Sequence, residues 1–68
     1  MMYTVRRVKG AGSETFVIVG VDSSGAFWED STARGMNEQE MRADLEKRGM
    51  SPNNIDSMIE KARSSPEI

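Results

Sequence analysis

Glu29 and Asp30 are the only adjacent carboxylates in this 68-residue chain, and paired carboxylates can act as general acid and base or grip a cation. In a strand, however, neighbouring side chains point to opposite faces, so these two cannot converge on one atom without a third element. They read as solvated charges at a strand end. Gly10-Ala11-Gly12-Ser13 contains the G-x-G of a phosphate-cradling loop. Such a loop leads into a helix N-terminus, whereas strand-like residues follow here, so a hairpin turn is the expected use. Asp22-Ser23-Ser24-Gly25 lacks the alternating oxygen ligands and closing Glu of a calcium loop, and turn chemistry accounts for it. The chain has no His and no Cys. That removes the Ser-His-Asp and Cys-His arrangements, Cys-ligated zinc and any disulfide. The expectation is a protein that is not an enzyme and that carries no cofactor and no metal.

Between residues 40 and 60, Leu45, Gly49, Met50, Ile55 and Met58 have spacings that resemble the helix-turn-helix motif of repressor proteins. In that motif a glycine sits in the turn, and later apolar residues anchor a recognition helix. The resemblance implies that Asn53, Asn54 and Ser57 would donate to base edges. The chain departs from the motif at Leu45, where a small residue is usual, and at Arg48, where an apolar one is. Asp56 and Glu60 on the same helix would repel phosphates. An ordinary helical hairpin covering a sheet is the competing reading.

Nine Lys and Arg stand against eleven Asp and Glu, a net charge of −2, which argues against nucleic acid or an anionic membrane as partner. The longest apolar run, Phe16-Val17-Ile18-Val19-Gly20-Val21, is far short of the roughly 20 residues of a membrane helix. No apolar stretch follows Arg6 and Arg7 to make a signal peptide, so a cytoplasmic location is expected.

The elements that would position these residues divide near Gly35. Strands are expected over about 3–9, 14–21 and 26–30, joined by the two glycine-containing turns. The turn at Asp22 pairs Val21 with Phe27 and Gly20 with Trp28, laying the indole over a residue without a side chain. Asn37 and Glu40 form a capping box, with Met36 and Met41 as a hydrophobic staple, and open a helix over about 38–48. Gly49 ends it, with Met50 folding back on Leu45. Ser51 and Pro52 then start a second helix over about 52–63, on which Ile55, Met58, Ile59 and Ala62 form one stripe. The fold class is therefore α+β, a three-stranded antiparallel meander followed by a helical hairpin on one face, in the order β-β-β-α-α. One domain accommodates the whole of residues 1–68.

The sheet is apolar on both faces, while two short helices cover one. One face holds Phe16, Ile18, Trp28 and Tyr3 with Val5; the other holds Val17, Val19, Val21 and Phe27. Chains of this size bury only about 60% of the surface exposed when unfolded, so the uncovered face suggests a partner. The expected function is a binding or regulatory module that forms a homodimer, with Phe16, Ile18 and Trp28 as interface anchors. The alternative register buries Trp28 and turns Val17, Val19 and Phe27 outward. A helix-turn-helix regulator and a small inhibitor of a larger enzyme or complex are the other two readings.

Overall fold

A computed structural model describes residues 2–68. Three antiparallel strands, β1 (Met2–Arg7), β2 (Phe16–Val21) and β3 (Phe27–Met36), precede two helices, α1 (Glu38–Lys47) and α2 (Pro52–Ser64). The sheet order is β1-β2-β3, so the fold is the expected α+β meander with a helical hairpin.

The turn chemistry sets the register. Asp22 Oδ1 accepts from the Ser24 and Ala26 amides, Gly25 N–H donates to Asp22 O at 3.0 Å, and Gly25 has φ +86°. That geometry pairs Val21 with Phe27 and Gly20 with Trp28. β3 then runs on to Met36 instead of stopping near Asp30. It takes five steps, Glu29 to Arg34, where β2 takes two, Val19 to Val17. Asp30 Oδ1 stabilises this bulge by accepting from the Thr32 amide at 3.0 Å and its hydroxyl at 2.6 Å. The bulge turns Ala33 inward to full burial and exposes Ser31 and Thr32, so no simple alternation survives in the sequence.

Both helix starts are capped by side chains. Glu40 N–H donates to Asn37 Oδ1 at 2.8 Å and Asn37 N–H donates to Glu40 Oε1 at 3.0 Å, a complete capping box. Ser51 Oγ accepts from Asn54 N–H, with Pro52 at the first helical position. Between them, Gly49 N–H donates to Glu46 O and Met50 N–H to Leu45 O, the Schellman pair, with Gly49 at φ +90°.

Met41 and Leu45 from α1 and Ile55, Ile59 and Ala62 from α2 close over Val5, Phe16, Ile18 and Ala33. This is the one face the helices cover. Phe16 and Ile18, expected as interface anchors, are 0% exposed there, and Trp28 packs half-buried against the same cluster. The interface assignment therefore needs correcting: the stripes on α1 and α2 need an apolar floor, and these residues supply it. The opposite, outer face carries the register rows Met2–Val21–Phe27, Thr4–Val19–Glu29 and Arg6–Val17–Arg34.

Candidate functional site

The polar groups the structure brings together are ion pairs. Arg63 of α2 bridges Glu14, before β2, and Glu38, at the start of α1. Arg42 joins Glu38, at 2.8 Å, to Asp56 of α2, at 2.6 Å. Arg48 reaches Asp44 at 2.7 Å and Asp30 in the β3 bulge at 2.6 Å, and its guanidinium lies 6.0 Å from the centre of the Tyr3 ring. Arg48 ties the hairpin to β3, Arg63 ties it to the segment before β2, and Arg42 links the two helices. Arg48, where the helix-turn-helix pattern has an apolar residue, makes this bridge instead.

The same contacts set the ionisation of their carboxyls. Hydrogen bonds from Thr32 and then Arg48 hold Asp30 down to about 2. The Arg63 guanidinium lowers Glu14, and Arg42 with Arg63 lowers Glu38. Asp22 is lowered by the Ser24 hydroxyl and the turn amides. A general acid at neutral pH needs a raised carboxyl, and each of these four moves the other way. Glu29 and Asp30 stand apart, Glu29 paired with Arg34 on the outer face and Asp30 with Arg48 toward the helices. Among the described residues, no group of three or more His, Cys, Asp or Glu is placed to hold a metal ion. No helix among the described residues is long and apolar enough to cross a membrane.

Apolar surface is concentrated at one end of the sheet. Met2, Val21 and Phe27 form a single cross-strand row on the outer face and are 77%, 43% and 63% exposed. Val17 and Val19, further along the same face, are buried at 0% and 3%, flanked in the register by Arg6 and Arg34 and by Thr4 and Glu29. The apolar side chains in the middle of the face are thus closed to solvent, and those at its end are bare. Turning over the β1 side of that end is an open groove of about 600 Å³. Its apolar walls are the exposed row itself together with Tyr3, Met50 and Met58. Compared with protein-family models, curated proteins and solved structures, the chain matches none of them.

Of the residues singled out for DNA contact, Asn54 and Ser57 line this groove and are exposed, and Asn53 is exposed outside it. Arg6 and Lys61 are the cations that line the groove with Asn54 and Ser57. Asp56 and Glu60 are exposed on the same helix, and Asp56 is paired with Arg42. Sequence reasoning placed Val21 and Phe27 on one face but missed Met2, whose membership depends on the β1 register. It missed the groove as well, because that surface joins β1 to α2 across 50 residues of chain.

Proposed function

We propose that this chain is a non-enzymatic, cytoplasmic protein-binding module that pairs with a second copy of itself through the outer face of its sheet. The observation that carries the reading is the row Met2–Val21–Phe27, three large apolar side chains in register and all substantially exposed. Single exposed apolar residues are ordinary on a soluble protein, but a contiguous aligned set on a chain of this size points to a contact surface. Phe27 supplies the aromatic anchor that interfaces favour, at the edge of a patch bordered by Glu29 and Arg34. A two-fold contact between copies is the commonest way to cover such a patch.

Sedimentation equilibrium at micromolar concentration tests this directly. The expected mass is twice the 7.6 kDa of one chain, returning to the single-chain value in Phe27→Ser. A native chain that sediments at 7.6 kDa over that range overturns the reading.

A further inference from the structure

Resting on that self-association, we propose that the groove between β1 and α2 is the receiving half of the dimer contact, and that Phe27 of the second copy enters it. The groove and the exposed row are one surface, since Met2, Val21 and Phe27 belong to both. In a two-fold contact each copy presents the same patch, so a patch holding both a projecting ring and an apolar cleft is complementary to itself. Phe27 is the projecting ring: it is the one aromatic among the large apolar residues exposed on the described surface. Tyr3, Met50 and Met58 are the receiving wall, and flexible thioether side chains mould themselves to an entering ring.

Charge favours the same occupant. The charged residues lining the groove are Arg6 and Lys61, with no carboxylate among the described lining residues. Lys61 makes no ion pair among the described residues. This cationic end belongs to a chain of net charge −2. On β3, the next residue after Phe27 on the same outer face is Glu29. An incoming Phe27 therefore brings a carboxylate two residues behind it, one that Arg34 of its own chain already pairs and that the groove cations would have to share. The exposed residues of α1, by contrast, are Gln39, Glu40, Ala43, Glu46 and Lys47, with no large apolar side chain among them.

The area required points the same way. A standard interface takes about 800 Å² from each partner. That is about a fifth of the 4469 Å² of this chain. Three side chains at the end of one face supply only part of it, and the groove walls supply more.

Complementation between two full-length variants tests the proposal. Ser57→Glu places a longer, acidic side chain at an exposed position in the groove and leaves the core untouched. Phe27→Ser removes the ring. Each variant alone is expected to sediment as a single chain while keeping a folded circular dichroism spectrum. Mixed in equal amounts they are expected to recover a heavier species, because the Ser57→Glu copy still offers Phe27 and the Phe27→Ser copy keeps the receiving wall of Tyr3, Met50 and Met58. If the native chain is a dimer and Ser57→Glu dimerises as well as it does, the groove proposal is wrong while the dimer stands. A mixture that remains at single-chain mass also overturns it. A native chain that is itself monomeric removes the underlying self-association. Lys61→Glu, on the same wall, is the second variant should Ser57→Glu lose its fold, and it is expected to weaken pairing in the same way.

Discussion

The indole of Trp28 lies across Gly20, its cross-strand partner, so closely that a Cβ built on Gly20 would stand 2.6 Å from Trp28 Cζ2 and also collide with the Met2 carbonyl oxygen. The hydrogen atom of Gly20 is thus what admits both the ring on one side and β1 on the other. Gly20→Ala is expected to destabilise the fold by about 1–3 kcal/mol, the usual cost of forcing an extra carbon into a packed site. Because the carbonyl belongs to backbone, the clash has no cheap relief. A urea melt of the variant showing unchanged stability would falsify the close approach.

That contact also marks how far the sequence alone could be read. The Asp22–Gly25 turn fixes the β2–β3 pairing from four residues, and with it the Gly20–Trp28 relationship. The capping box at Asn37, the Schellman pair at Gly49 and the Ser51-Pro52 start are equally local, and each occurs where its residue types stand. What stayed hidden depends on long-range choices. Both faces of β2 are apolar, so nothing in its pattern says which one the helices cover, and Phe16 and Ile18, expected at an interface, lie under the helices. The β3 bulge is held by Asp30 and Thr32, which read as the end of a strand because bulges break alternation. The groove, assembled from β1, α2 and the row, has no sequence signature.

The helical hairpin depends on backbone shape at Gly49. Its φ of +90° lies in the left-handed region, and nothing stands within 4 Å of a Cβ added there. Gly49→Val therefore tests chiefly the conformational cost, since its Cβ meets no neighbour. The expected loss is about 1–2 kcal/mol, with Gly49→Asn milder because asparagine tolerates that region. Equal stability of the Val and Gly proteins in a chemical melt would remove the Schellman assignment.

Phe16 and Phe27 separate folding from binding. Phe16 is fully buried, and Phe16→Ala is expected to cost about 3–5 kcal/mol. A core this small rarely supplies more than about 3–5 kcal/mol in total, so that variant should be largely unfolded. Phe27 is mostly exposed, and in a dilute monomeric sample Phe27→Ser should change stability by less than about 0.5 kcal/mol. Thermal melts by circular dichroism read both. Comparable losses in the two variants would mean that Phe27 is a core residue and not a contact residue.

Duplex DNA is expected to bind weakly and without sequence preference. Asn54 and Ser57 are free to reach a ligand, but their helix exposes Asp56 and Glu60 beside them. Much of phosphate binding comes from Lys and Arg, and Arg42, Arg48 and Arg63 are already held by carboxylates, which leaves Arg6 and Lys61 as the cations beside Asn54 and Ser57. A tight, sequence-dependent gel shift at physiological salt would contradict this and assign Asn53, Asn54 and Ser57 to base contact.

Acid should loosen the fold in a defined window, and Asp30 sets its lower edge. Its carboxylate accepts from the Thr32 hydroxyl and amide and from Arg48, bonds that favour the charged form and hold it at about 2 instead of the ordinary 3.8. A group depressed in the folded state contributes stability that is complete above its unfolded value and is lost as pH falls through its folded one. Glu14 and Glu38, lowered from 4.5 by their arginines, act in the same direction from a higher starting point. Stability is therefore expected to be flat from neutrality to about 5, to decline below 4.5, and to go on falling to about 2. These pairs are partly exposed, so salt should weaken the effect. Asp30→Asn keeps an oxygen for Thr32 but cannot titrate, and should make the curve shallower between 3.8 and about 2, where the lowered Asp22 still contributes, while leaving the higher part intact. Urea midpoints across that range, measured in the Phe27→Ser background so that dimer dissociation does not contribute, decide the matter. An unchanged slope in Asp30→Asn would show that the tie between the β3 bulge and α1 is not what acid breaks.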